Sequence, residues 1–330
     1  MIFTQDLSIT PRIASLRDAT LSEERRLSIE QALIITRVYR ENPDDPMPLK
    51  RAKALAASLR EMTVRIDPGE IIVGNRTAGI RAGVVFPEAG ISWVDEEIET
   101  LPSRPQDTFA VDTDDVALFR SEILPYWGGH TLEDRIYGEL GEEISAIAKV
   151  AKINQKDHAQ GHICPNTEKW ISLGPLGLLA QARAKHLPET DPARRTFYEA
   201  VTLVLEASIG FMDRYSDLAD EMAAGGAATS SPMASQQKHD LQEIAQICRK
   251  LTQTPAETFR EAVQSLWFLY VILQMESNAS SFSPGRADQY LYPFYRREVD
   301  AGTLDSAGAL EIIEALWIKF NQIVYLRNAN

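Results

Sequence analysis

Cysteine is scarce in this 330-residue sequence, which has only Cys164 and Cys248. They lie far apart and in no CxxC pair, which excludes a secreted disulfide framework and fits a reducing cytosol. Positive charge is also in deficit. The 34 Lys and Arg stand against 47 Asp and Glu, a net −13, which argues against a nucleic-acid footprint. Long apolar runs are missing: the most apolar stretch, Ala262 to Met275, is too short and too interrupted to span a membrane. The N-terminal MIFTQDLSITPRI has no basic region leading into an apolar one, so no secretory signal is read. There is no GxGxxG or GxxxxGK[ST] loop, no HExxH and no GxSxG. These absences predict a cytoplasmic protein without nucleic-acid or membrane partners. An anionic ligand has to be held by a few local cations against the general field.

What is present is the balance of a globular protein, 44% hydrophobic and 25% charged, and a mostly helical pattern. Ser28 and Gln31 have capping-box spacing ahead of Ile29, Leu33, Ile34 and Val38. A second stripe runs through Ala52, Leu55, Ala56, Leu59 and Met62. Residues 64–75 then read as extended segments around a Pro68-Gly69 turn. The stretch from Arg76 to Pro105, with Phe86, Ile91 and Trp93, is either ordered irregular structure lining something or a surface loop. Helical periodicity returns near Asp114 and continues through 133–154. The longest helix is expected to start at Asp191-Pro192 and run through Phe211, Tyr215 and Leu218. Thr254 with Glu257 reads as the capping box of an apolar helix containing Leu266, Trp267, Tyr270 and Leu273. A final amphipathic helix, Ala307 to Val324, turns Leu310, Ile313, Leu316, Trp317, Phe320 and Ile323 inward, with nothing visible to cover it. With no repeat and no flexible linker, residues 1–330 read as one unit.

Two polar clusters can carry chemistry. The first spans Asn154 to Asn166. If it is helical up to Gly161, Lys156 and Gln160 share a face and offer an ammonium and an amide to an oxyanion such as a sulfonate or carboxylate. The bland alternative is a solvated helix end. His158, His162 and Cys164 invite a metal but lack a fourth ligand, so no metal site is expected. Cys164 has no separated His partner with an orienting third group, which argues against a nucleophile. In the second cluster, Glu276 to Tyr290, Ser280 and Ser281 can hydrogen-bond a hydroxylated substrate while Arg286 and Asp288 brace the loop.

The stretches RIDPGEIIVGNRT, AGVVFPEAGISWVDEEIE, SFSPGRADQYLYPFYRREVDAGTL and ALWIKFNQI resemble the glycyl radical enzymes of the pyruvate formate-lyase type, from about Arg12 onward. The resemblance implies an α/β fold, the N-terminal part of a ten-stranded barrel surrounded by helices and itself mostly α-helical. It also implies a homodimer and a partner activating enzyme that uses S-adenosylmethionine and an iron–sulfur cluster to install a glycyl radical. In the family that radical passes to a cysteine, and in eliminating members a glutamate two residues later acts as base, giving a G-C-x-E motif. Neither that motif nor an R-V-x-G-aromatic glycine loop occurs in residues 1–330. No catalytic residue is therefore assigned in this chain: the thiyl-loop and glycyl radical parts are expected to be absent and the chain alone inactive. No cofactor is expected to bind it directly.

Within the family, Lys156 and Gln160 are similar to the sulfonate-gripping pair of isethionate sulfite-lyases, with Lys for Arg, which keeps charge but loses the bidentate fork. His162 with Ser281 resembles the hydroxyl-binding pair of glycerol and diol dehydratases. The substrate-binding set is therefore Lys156, Gln160, His162 and Ser281. The expected reaction is sulfite release from a small hydroxysulfonate, isethionate or dihydroxypropanesulfonate. A C–O dehydratase, choline lyase or formate C-acetyltransferase is the alternative within the family, and a non-catalytic fragment the alternative outside it.

Overall fold

A computed structural model describes residues 9–148, 150–151, 162–225, 232–278 and 281–329. The helices are α1 (Pro11–Ser22), α2 (Glu30–Glu41), α3 (Met47–Glu61), α4 (Ser92–Glu97), α5 (Thr113–Leu118), α6 (Leu124–Trp127), α7 (Leu132–Ala148), α8 (Thr167–His186), α9 (Pro192–Gly225), α10 (Pro232–Gln253), α11 (Phe259–Ser277), α12 (Ala287–Tyr290), α13 (Tyr292–Ala301) and α14 (Ser306–Asn321). Two short strands, β1 (Arg26–Ser28) and β2 (Ala82–Val84), pair in parallel with Leu27 opposite Gly83. Single bridges extend the parallel pairing outward on both sides, from Arg26 to Ala110 and from Gly83 to Val324. The helical character and a narrow parallel sheet agree with the expected part of an α/β barrel.

Several helix ends form where the residue types favour them. Asp191 accepts the Arg194 N–H at 2.9 Å, and α9 runs 34 residues to Gly225. Two expected caps move. Ser28 lies in β1, and α2 starts at Glu30 with no side-chain cap, because Gln31 is buried and donates to the Met275 carbonyl at 2.6 Å instead. The capping box of α11 is Thr258 with Glu261, four residues beyond the expected pair. Thr254 is used up at the end of α10, where its N–H donates to the Lys250 carbonyl at 2.9 Å. The periodicity after Asp114 is interrupted by a π-helical turn at Phe119–Ile123 and by a non-helical Gly141 within α7. Residues 152–161, which include the end of the expected 133–154 helix, lie outside the described residues.

The stretch from Arg76 to Pro105 is no surface loop. Val84, Val85, Phe86, Ile91 and Ile98 are all buried. Residues 64–77 form no regular element, but the Pro68-Gly69 turn is real: Glu70 N–H donates to the Asp67 carbonyl at 3.1 Å, with Gly69 at φ 86. Buried main chain without a ladder must find other partners, and side chains of the surrounding helices supply them. From α11, Arg260 donates to the Ile71 carbonyl, Gln264 both accepts from and donates to Val73 at 2.8 and 2.7 Å, and Trp267 donates to the Gly74 carbonyl at 2.9 Å. From α9, the Tyr215 hydroxyl accepts the Asn75 N–H at 2.8 Å and donates to its side-chain oxygen at 2.5 Å. Gly74, at φ 133, has to be glycine: an added Cβ would lie 2.8 Å from Trp267 Nε1.

Helix α14 keeps part of its expected inward face, with Leu316 buried and Ile313, Phe320 and Ile323 packed against the core, but not all of it. Ala309, Ile312, Ala315, Leu316 and Lys319 are buried, whereas Trp317 is 53% exposed and lines an apolar groove of ≈ 330 Å³ with Phe259, Leu291, Tyr295, Ile313 and Leu316. The reason is Lys319. Its ammonium sits 2.7 Å from Glu70, the two side chains being 3% and 2% exposed, and 5.8 Å from the Trp267 ring centre. That pair turns the Lys319 face of α14 inward, and burial pushes the Lys319 pKa down against the pull of Glu70.

An ion pair this deep is costly to break and cheap to replace. Lys319→Met alone is expected to lower unfolding stability by about 3–5 kcal/mol in urea titration, because it strands a buried carboxylate. Lys319→Met with Glu70→Leu should recover most of that loss.

Candidate functional site

The two polar clusters meet. Ile163 and Phe282 form a parallel bridge in which the Ser281 carbonyl accepts the N–H of His162 at 2.7 Å and of Ile163 at 3.2 Å. The Ser283 N–H returns to the Ile163 carbonyl at 2.8 Å. His162 and Ser281, named from sequence, are thus brought together through main chain separated by more than a hundred residues. Lys156 and Gln160, like His158 and Ser280, lie outside the described residues. Among the described residues, no group of three or more His, Cys, Asp or Glu can hold a metal ion.

His162 is exposed and has φ 65, a left-handed conformation uncommon for a residue with a side chain and often found at functional positions. Beyond the bridge, Asn166 caps α8 by accepting the Lys169 N–H at 3.0 Å. Phe282, next to Ser281, is buried with its ring edge-on to Tyr270 at 6.3 Å. One strand of the site therefore hangs from the start of α8 and the other from the end of α11. The loop that follows is braced as expected: Arg286 and Asp288 pair through two hydrogen bonds of 2.9 and 2.8 Å, and the Arg286 hydrogen bond pulls the Asp288 pKa down. Gly285, at φ 70, leaves no room for a Cβ, which would sit 2.8 Å from Cys164 Sγ.

Cys164 is exposed, and Cys248 is buried in α10, where burial pushes its thiol pKa far up and keeps it neutral.

The end of α11 is held by residues that spacing did not point to. Gln31 of α2 takes the Met275 carbonyl, and Arg51 of α3 donates to both the carbonyl and the carboxylate of Glu276 at 2.9 and 2.7 Å. Arg51 also donates to Glu88 at 3.0 Å, and Tyr39 donates its hydroxyl to the same carboxylate. Burial pushes the Glu88 pKa up, opposed by Arg51 and Tyr39. This half-buried network ties α2, α3 and the 85–91 segment to the end of α11, ahead of residues 281–283. The bridge sets the main chain of His162 beside that of Ser281, between the start of α8 and the end of α11.

The model of the family described as pyruvate formate lyase-like matches residues 7–330. A probable dehydratase of Escherichia coli K12 is 33% identical over 310 residues, covering 91% of this chain and 37% of that protein. An isethionate sulfite-lyase of Oleidesulfovibrio alaskensis is 30% identical, covering 96% of this chain and 39% of that protein. The solved structure of the glycerol-bound B12-independent glycerol dehydratase from Clostridium butyricum superposes with a TM-score of 0.91 at 29% identity, covering 100% of this chain and 42% of that one. The chain thus spans about two-fifths of the length of these relatives.

The left-handed backbone at position 162 separates the fold from the imidazole. His162→Gly is expected to change stability by no more than about 1 kcal/mol, since glycine adopts this conformation freely. His162→Val should cost about 1–3 kcal/mol more. Thermal unfolding of both variants checks the difference.

Proposed function

Because this chain belongs to the pyruvate formate lyase-like family, we propose that it is the N-terminal, substrate-wall part of a glycyl radical lyase acting on a small hydroxysulfonate with release of sulfite. The observation that carries this reading is the Lys156 and Gln160 pair in the sequence, six and two residues before His162, whose main chain a bridge sets beside Ser281. A hydroxysulfonate has two ends to recognise. The His162–Ser281 pair suits the hydroxyl, and the Lys156 ammonium with the Gln160 amide suits the sulfonate. The relative that cleaves isethionate supports the same choice.

The radical chemistry belongs to residues outside this sequence, which contains no G-C-x-E motif and no R-V-x-G-aromatic loop. In the complete enzyme those residues would supply hydrogen abstraction by a thiyl radical and a carboxylate base. This chain would bind the substrate, hold its hydroxyl and sulfonate in fixed directions, and exclude water. Alone it would be inactive. The full-length protein would be a cytoplasmic homodimer, activated by a partner that uses S-adenosylmethionine and an iron–sulfur cluster.

A second reading is a C–O lyase of the glycerol or diol dehydratase kind. The same His162–Ser281 pair and the likeness to the glycerol-bound dehydratase favour it. The two readings part at the anionic end of the substrate.

When the complete enzyme carrying this chain is activated anaerobically, sulfite is expected from isethionate or dihydroxypropanesulfonate, with no turnover of glycerol. Lys156→Met should raise KM for the sulfonate by about tenfold or more, as loss of a charge-assisted contact does. Absence of sulfite from both sulfonates, with glycerol consumed, would establish the dehydratase instead.

A further inference from the structure

Arg76 is 4% exposed, yet it forms no ion pair with any described carboxylate. Its Nη2 donates to the side-chain oxygen of Asn278, while its Nε and Nη1 have no partner. Burial lowers its pKa to about 10, opposed by Tyr325 and Tyr270, which leaves it cationic at neutral pH. A guanidinium in this state weakens the fold rather than strengthening it, since an unpaired buried charge costs several times what one hydrogen bond returns. Its one side-chain hydrogen bond among the described residues is therefore where its use has to be sought.

That contact is the residue at which α11 stops. Asn278 has φ 47 and ψ 33, and its N–H donates to the Gln274 carbonyl at 3.2 Å, a left-handed helix cap. The preceding carbonyls, of Met275 and Glu276, are already gripped by Gln31 and Arg51. Arg76 adds the third grip, on the first residue beyond the helix. Ser281 follows three residues later, and a three-residue tether reaches at most about 10 Å, so the direction taken at Asn278 limits where Ser281 can lie. The Ser281 carbonyl in turn holds the N–H groups of His162 and Ile163.

We propose that Arg76 is a positioning residue of the candidate site: by gripping Asn278 it fixes the backbone direction three residues before Ser281, and through the Ser281 carbonyl it limits the position of His162. This deepens the reading above, because its value to function rests on His162 and Ser281 touching substrate. The positioning itself does not rest on that reading.

The two parts can be tested separately. Amide hydrogen exchange read by mass spectrometry on this chain should show protection of the His162, Ile163 and Ser283 amides falling by about tenfold or more in Arg76→Met, as local opening free energy drops. Amides of α3 and α9 should stay as they are. Global stability in urea should be unchanged or higher, since a buried charge has been removed; a purely structural role for Arg76 predicts a loss. Asn278→Gly keeps the left-handed cap but removes the acceptor, and should loosen the same amides. Arg76→Lys, which retains a donor, should restore most of the protection. Unchanged protection at these amides in both Arg76→Met and Asn278→Gly overturns the proposal, as does equal loosening of α3 and α9. If the bridge loosens but KM and kcat of the complete activated enzyme do not move, positioning stands and the assignment of His162 and Ser281 to the substrate site fails.

Discussion

The structure depends on making an irregular main chain comfortable inside a helical core. Residues 70–77 cross the interior without a ladder, so every peptide group there needs a partner from elsewhere. Arg260, Gln264 and Trp267 of α11 and Tyr215 of α9 serve the Ile71 carbonyl, both groups of Val73, the Gly74 carbonyl and the Asn75 N–H at 2.7 to 3.2 Å, and Lys319 of α14 anchors the Glu70 side chain at 2.7 Å. Three helices are thereby locked in rotation and height by one segment. Apolar packing alone would leave each of them free to slide by a turn.

Helix α11 does two things along its length. Its first half reads the buried segment, and its last turn is gripped from α2 and α3 so that the following strand leaves in one direction. Among the described residues, His162 and Ser281 lie beside the single bridge between Ile163 and Phe282, beyond the ends of the helices. Three cations of the interior and its margin differ in how they are compensated. Lys319 has a carboxylate to itself, and Arg51 bridges Glu88 and Glu276. Arg76 has only an amide oxygen.

Much of this was legible in the sequence because it is local. The start of α9 at Asp191-Pro192, the Pro68-Gly69 turn and the Arg286–Asp288 brace are short-range patterns with one geometric solution. The His162–Ser281 pairing was legible only through family resemblance, since no spacing rule links positions so far apart. Errors came where tertiary contacts outbid local chemistry. Gln31 left its expected cap to serve a carbonyl on α11, and the α11 box moved on to Thr258 and Glu261. On α14 the inward Leu316, Ile313, Phe320 and Ile323 follow the hydropathy pattern, but Trp317 turns outward and a lysine is one of the most buried residues. Gln31, Arg51 and Glu88 were missed for the same reason: polar side chains announce nothing until the fold shows what they hold.

The bridge from Gly83 to Val324 has a kinetic consequence. The two residues lie about 240 positions apart, and β2 can complete its second edge only after the intervening chain has collapsed enough to close that loop. Its other edge meets β1 across a much shorter loop. During synthesis the first pairing therefore becomes available while the chain is still short, and the second waits for α14 to emerge. Until then β2 presents an unpaired edge to its surroundings, which is the vulnerability of slow, high-contact-order parallel sheets and the stage at which a nascent chain of this kind most needs a chaperone.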